Sequence, residues 1–367
     1  MDKSVLRGGQ LIRSLLCTWY EVTASKRRVW AGILGTLFSL GFLWLSLRGV
    51  DLAALAAFVA TSKLWWIGLA AVANLVNLWF RAIRWQRLLQ TAKILTVGDT
   101  FSATMIGFAI NNILPARLGE LFKVYVLADE HELRQMTVLA TVAAERLFDM
   151  LILLLLLLIS LFLGYSQQLA WMPSSTIYLV LLCLGMVGFL LIMWRKAEEL
   201  VNWLKTQLGQ RRHQKYERIL NGLLTFAAGL EWMSREKSRT VWAILGYSGV
   251  IWLSMLANVF FVIKAFTLDL PASASLITLV TQSLGMLIPS GPAGIGTYEF
   301  MTIVSLRLFA VEQSKALAFS LVLHATRFLP TTIIGVIFLL QWFYRRSQRV
   351  NSAQTLPVAT NFNRNEN

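Results

Sequence analysis

The chain has 367 residues, of which 56% are hydrophobic and only 14% charged, and its mean hydropathy is +0.61. A soluble domain carries roughly a quarter charged residues, so the composition excludes an ordinary soluble protein and points to a polytopic membrane protein. The excess of 34 Lys and Arg over 19 Asp and Glu gives a formal charge of +15, but these basic residues mostly flank apolar runs, where they set orientation, and no basic–aromatic nucleic-acid module accompanies them.

The segment 1–28 holds Lys3, Arg7, Arg13, Lys26, Arg27 and Arg28 and is expected in the cytosol. The apolar run Val29–Leu47 follows without a small-residue cleavage site, so it reads as a signal-anchor that stays. Further runs of spanning length fall at Leu64–Phe80, Thr137–Leu163, Ser175–Trp194, Val241–Ile263 and Ala316–Leu340. Two apolar stretches are shorter and broken. One is Phe101–Leu114 continuing after Pro115 into Leu118–Ala128; the other is Ala274–Ile288 continuing after a Pro/Gly segment into Tyr298–Val311. Arms below about 20 residues predict re-entrant hairpins rather than crossings.

The basic clusters alternate consistently with six crossings. The loop containing Arg81, Arg84, Arg87 and Lys93, the connection 195–240 and the residues Arg345, Arg346 and Arg349 are expected inside, and the uncharged loop Gly164–Ser174 outside. The expected fold is therefore all-α: six full spans plus two re-entrant hairpins within a membrane domain over 29–343. Its halves, 29–163 and 175–343, each have an odd number of crossings, which makes them inverted repeats, a recurrent transporter design. The segment 195–240 reads as an amphipathic helical linker, and the Asn-rich tail within 344–367 as disordered.

The duplication also shows in the motifs. GFAINNILPARLGELF precedes Arg146 of AAERLF, which lies 26 residues after Glu120; GMLIPSGPAGIGTYEF precedes Arg327 of HATRFL, which lies 28 residues after Glu299. The hairpin turns are Pro115 and Gly119 in the first case, and Pro289, Gly291, Gly294 and Gly296 in the second. Two prolines and three glycines forbid a regular helix there and leave backbone amides exposed for an anion.

Arg327 lies about ten residues into the last run, roughly 15 Å along a helix and so near mid-bilayer. It must face the interior and meet something anionic: either a lipid phosphate or carboxylate, or Glu299 in a structural ion pair. His324 shares its face. Glu145, Arg146 and Asp149 form the matching cluster, with snorkelling at the inner boundary as the plain alternative. Arg117 and Glu120 stand at the first turn, either serving the ligand or bridging the turn. The headgroup candidates are thus Arg117, Glu120, Glu145, Arg146, Asp149, Glu299 and Arg327. Trp65, Trp66, Trp79 and Trp85 read as interfacial anchors. Cys17, Cys183, His131, His213 and His324 make neither a disulfide framework nor a metal-ligand pattern. No catalytic set, metal or cofactor is expected. A Walker loop is absent, so uphill transport would draw on an ion gradient.

At NNILPARLGELFKVYVL, AAERLFDMLILLL, LIPSGPAGIGTYEF and HATRFLP the chain resembles the lysylphosphatidylglycerol synthase transmembrane family, with its flippase-like domain and uncharacterised UPF0104-type members. With the spacing of spans, the resemblance covers about Val29 to Phe343. It implies movement of amphiphilic lipids between leaflets of the plasma (inner) membrane. Full-length synthases add a cytosolic acyltransferase domain, and the short segment after the last span implies the translocating part alone. Expected partners are anionic or lipid-linked headgroups and a separate lipid synthase, not nucleic acid. The competing reading is a membrane lipid-modifying enzyme or glycosyl- or aminoacyl-transferase, or its non-catalytic subunit.

Overall fold

The computed structural model describes residues 37, 39–48, 50–90, 92–114, 118–166, 238–288 and 290–354, and the single positions 181, 184, 185, 188, 196 and 199. The expectations for most of the fourth run, the linker up to 237, the loop 167–174, the tail from 355, and for Pro115, Arg117 and Pro289 lie outside the described residues. Among the described residues every regular element is helical. In order these are α1 (Leu52–Ala60), α2 (Leu64–Leu89), α3 (Val97–Ile113), α4 (Gly119–His131), α5 (Gln135–Ser166), α6 (Ser238–Ala265), α7 (Ala272–Gly285), a 3-10 turn (Pro292–Gly294), α8 (Thr297–Arg307) and α9 (Gln313–Gln354). Residues 39–47 are also helical.

Four stretches are long and apolar enough to cross a membrane: Leu64–Leu89, Gln135–Leu163, Arg239–Ala265 and Gln313–Arg349. They present apolar side chains outward, including Leu64, Trp65, Val72, Phe162, Leu253 and Ile337. The broken segments form two pairs of shorter helices, α3 with α4 and α7 with α8, and with 17, 13, 14 and 11 residues all four are shorter than the spans. At 1.5 Å per residue none reaches the roughly 30 Å of the hydrocarbon core.

Local chemistry sets the element ends. Thr96 and Asp99 form a reciprocal capping box that starts α3: the Thr96 hydroxyl accepts from Asp99 N at 3.2 Å, and Thr96 N donates to the carboxylate at 2.9 Å. At the start of α8, Gly296 has φ +88°, and its N–H donates to Glu299 Oε2 at 2.6 Å. A Cβ on Gly296 would collide with the Ser39 carbonyl oxygen, so the backbone conformation and the close approach of the 39–47 helix both demand glycine. α1 was not expected from the sequence; Asp51 initiates it by accepting from Ala53 N at 2.8 Å.

Two helices run beyond their apolar runs. α2 continues from Phe80 to Leu89, so Arg81 and Arg84 belong to the span rather than to a cytosolic loop. Phe80, Trp85, Leu88 and Leu89 sustain helical periodicity past the charges. Trp85 is a correction as well: it is fully buried, and its indole N–H donates to Thr141 Oγ1 at 2.9 Å, so it is a core residue and not an interfacial anchor. α9 extends past Leu340 and leans on the end of α4. There Arg346 lies over Tyr125 and Trp342, and Arg345 and Arg349 approach Glu130 at 3.9 and 3.8 Å. Burial pushes the Glu130 carboxyl above its ordinary range despite these guanidiniums.

The most extensive helix–helix packing is α2 against α6. One apolar core joins α5 through α9 around Ile251, Val259, Leu279, Phe319 and Leu323; a second joins α2, α3, α4 and the far part of α9 around Trp85, Ile106, Leu127 and Trp342. The 3-10 turn of the second broken segment packs against α3 of the first. α3 and α4 cross where Gly107 and Gly119 meet; a Cβ on Gly119 would strike the Gly107 carbonyl and the Asn111 side chain. Gly119→Val should therefore lower stability by about 1–3 kcal/mol, the usual cost of overpacking. A Cβ on Gly246 would meet nothing within 4 Å, so Gly246→Val should stay within about 0.5 kcal/mol. Thermal unfolding of both variants in detergent checks the contrast.

Candidate functional site

The α2–α6 contact carries polar groups along its length. Asn77 of α2 donates to Ile251 O at 2.9 Å, and Asn258 of α6 donates to Ala70 O at 2.7 Å. Each asparagine stands seven residues from the carbonyl that its counterpart's amide reaches, so the antiparallel pair is bonded reciprocally. Each also accepts from an arginine Nε: Asn77 Oδ1 from Arg81 at 3.1 Å and Asn258 Oδ1 from Arg327 at 2.9 Å. Unpaired amides in an apolar surrounding would be costly. Here both ends of each are used.

A first charged cluster spans α2, α4, α5 and α6. Arg84, with no exposure, donates to Asp149 Oδ1 at 2.7 Å and to Ser248 Oγ at 3.0 Å, and its other terminal nitrogen lies 3.6 Å from Glu145. Arg81 and Arg146 each reach Asp149 Oδ2 at 3.3 Å. Lys123 of α4 donates to Glu145 Oε2 at 2.9 Å, lies 3.3 Å from Glu120, and rests 4.6 Å from the centre of the Trp85 ring. Arg146 closes the cluster on Glu120 at 3.0 Å. Four cations meet three carboxylates, an excess of one positive charge. The Arg146 and Glu120 side chains are the open edge, 38% and 30% exposed, while those of Glu145 and Lys123 are 4% and 7% exposed.

A second cluster gathers α6, α8 and α9. Glu299, 2% exposed, caps α8 and meets His324 Nδ1 at 2.5 Å. The His324 ring lies 4.5 Å from that of Tyr298, and the Arg327 guanidinium lies 5.7 Å from the same Tyr298 ring. Arg327 bonds to Asn258 and, through Nη2, to Met255 O at 3.5 Å. Met255 also touches the first cluster, because Arg81 Nη2 lies 3.7 Å from its sulfur. The two clusters thus adjoin across one residue of α6.

Of the residues singled out from sequence, Glu120, Glu145, Arg146 and Asp149 come together in the first cluster, and Glu299 and Arg327 lie in the second. Of the two alternatives for Arg327, the ion pair with Glu299 is not formed: His324 takes the carboxylate and Arg327 turns to α6. Glu145 and Asp149 do not snorkel either; both are buried against Arg84. Gly119 donates its N–H to Asn111 Oδ1 at 2.7 Å, and among the second-turn glycines Gly291 donates to Ser39 Oγ at 2.7 Å. Sequence reasoning missed Arg81, Arg84, Lys123, Asn77 and Asn258. Arg81 and Arg84, three apart inside unbroken helical periodicity, were the available signal for the first two. The described residues hold no group of three or more His, Cys, Asp and Glu suited to a metal.

The profile of the lysylphosphatidylglycerol synthase TM region matches residues 32–335, and the chain belongs to that family. It is similar to a UPF0104 membrane protein of Methanocaldococcus jannaschii, 25% identical over 228 residues that make up 62% of this chain and 92% of that protein. A UPF0104 membrane protein of Methanothermobacter thermautotrophicus is 25% identical over 284 residues, 73% of this chain and 82% of that protein. It also resembles the glycosyltransferase AglD of Haloferax volcanii, 22% identical over 365 residues, 90% of this chain but 57% of AglD.

The buried pair of Lys123 and Glu145 gives a direct energetic test. Lys123→Met removes the hydrogen-bonded cation of Glu145 and leaves it only Arg84 at 3.6 Å, and it should cost about 3 kcal/mol. Adding Glu145→Gln should recover part of that loss, because the carboxylate that lost its hydrogen bond is removed with its partner. A double-mutant cycle read by thermal unfolding checks it.

Proposed function

We propose that this member of the lysylphosphatidylglycerol synthase TM family is a membrane lipid translocator that moves an anionic or amphiphilic lipid between leaflets. The observation that carries the reading is the seam running through Met255, in which five Arg and Lys side chains meet four carboxylates, with His324 against the last of them. Each charge held at membrane depth costs at least about 2.5–3.5 kcal/mol, so a structural role alone would favour apolar packing. The seam keeps one cation in excess, and its open edge is Arg146. An anionic headgroup supplies the missing charge, and guanidiniums bind phosphate through paired hydrogen bonds.

Six crossings, two re-entrant hairpins and inverted halves belong to this reading. The reciprocal bonds of Asn77 and Asn258, the packing of the 3-10 turn on α3, and the recurrence of Glu and Arg in the two motifs support it. In this arrangement both termini face the cytosol, the membrane is the plasma (inner) membrane, and a separate lipid synthase is the candidate partner. The turn at Gly291, Gly294 and Gly296 would line the headgroup path. A second reading, a glycosyl-transferring or lipid-modifying enzyme, is favoured by the similarity to AglD over 57% of that protein.

Exchange of a fluorescent phosphatidylglycerol between leaflets of proteoliposomes, followed by external quenching, tests the proposal. Arg327→Lys keeps the charge and should keep the melting temperature, yet slow exchange by about tenfold to a hundredfold, the worth of a charged hydrogen bond. Wild-type protein that exchanges no lipid contradicts the translocator, and headgroup transfer to lipid by the same preparation would establish the enzyme.

A further inference from the structure

The two motifs place a glutamate and an arginine at equivalent points, but the side chains pair differently. Glu120 and Arg146 join directly at 3.0 Å. Glu299 and Arg327 stand apart because His324, three residues before Arg327, occupies the carboxylate. The position three residues before Arg146 is Ala143, which offers no such partner. The second cluster therefore contains a titratable group that the first lacks.

The charge arithmetic makes that difference consequential. The Glu299–His324 pair is contacted by the Gly296 N–H on Glu299 and by the Tyr298 and Phe328 rings on His324; Arg327 lies over Tyr298 and bonds to Asn258 and Met255 of α6, with Arg81 beyond Met255. Among the described residues of this cluster, Glu299, His324 and Arg327 set its charge at neutral pH. With His324 protonated the sum is one positive charge; with His324 neutral it is zero. An imidazole changes charge within the pH range that cells maintain. In a medium that opposes net charge, the protonated cluster calls for one anion and the neutral one does not. Arg327 keeps a donor for a further partner. It spends Nε and Nη2 on Asn258 and Met255, carries no hydrogen bond on Nη1 among the described residues, and lies against the Tyr298 ring that His324 also touches.

We propose that the Glu299–His324 pair is a proton site that governs anion binding at Arg327, so that one proton enters with each monoanionic phosphate headgroup. With the proton in place, His324 satisfies Glu299 and Arg327 is left to hold the phosphate. On loss of the proton to water, Glu299 turns to Arg327 for its cation, and the phosphate is released. Lipid movement is then coupled to the proton gradient, which deepens the translocator reading and rests on it for the movement itself but not for the binding.

The test uses the full chain in detergent, weakly buffered near neutrality with a pH indicator, and titrated with short-chain phosphatidylglycerol or with dimethyl phosphate, both fixed monoanions at that pH. Wild-type protein should take up close to one proton per lipid bound, and its apparent Kd should weaken by up to about tenfold per pH unit on the alkaline side. His324→Gln should bind weakly with no proton uptake and no pH dependence. Uptake with phosphatidylglycerol alone assigns the site to a lipid headgroup; uptake with both ligands assigns it to phosphate in general, and either supports the proton linkage. Absence of binding by the wild-type protein, or binding without proton uptake, overturns it. The leaflet-exchange assay on the same preparation separates the two readings: proton-linked binding without exchange retains this site and removes the translocator.

Discussion

A guanidinium with no exposure, 2.7 Å from a carboxylate on a neighbouring helix, is the constraint around which the rest is arranged. Arg84 binds Asp149 of α5 and Ser248 of α6, so one side chain of α2 fixes the spacing of three long helices. Neither charge tolerates the loss of the other in an apolar surrounding, because breaking a buried pair costs far more than replacing it. Asp149 must serve Arg81 and Arg146 as well, and Glu145 must serve Lys123. Through Lys123 and Glu120 the demand reaches the broken segment, so α4 is held to α5 by charge as well as by packing.

The proposed function rests on the arithmetic of these charges. The first cluster ends with one cation too many, and its least buried members are Arg146 and Glu120. The second cluster meets it at Met255, a methionine that offers a sulfur to one arginine and a carbonyl to another. A protein built only for stability gains little from such a seam, whereas one that must pass an anionic headgroup through hydrocarbon requires compensating groups along the way.

Much of the fold was legible in the sequence, because spanning runs and breaks are governed by hydropathy and by proline and glycine, which a linear pattern records. Gly296 is an example: its place after two prolines marked a turn, and its φ of +88° with the Ser39 carbonyl against it supplies the reason. The errors arose where tertiary burial overrode local polarity. Arg81 and Arg84 looked like loop charges because the expected span was ended at Phe80, but their partners on α5 and α6 lie more than sixty residues away in the chain. Trp85 looked interfacial for the same reason. The choice of His324 rather than Arg327 as the partner of Glu299 depends on side-chain geometry at a helix crossing, which spacing alone does not encode.

The central claim is that the excess positive charge of the seam is there to hold an anionic lipid. Native mass spectrometry of the protein released from membranes of mixed phospholipid composition measures this directly. The account predicts a retained anionic phospholipid on the wild-type protein, out of proportion to its share of the membrane, and its loss in Arg146→Gln at unchanged folding. Retention that mirrors the bulk lipid composition, or that is unaffected by Arg146→Gln, would contradict it.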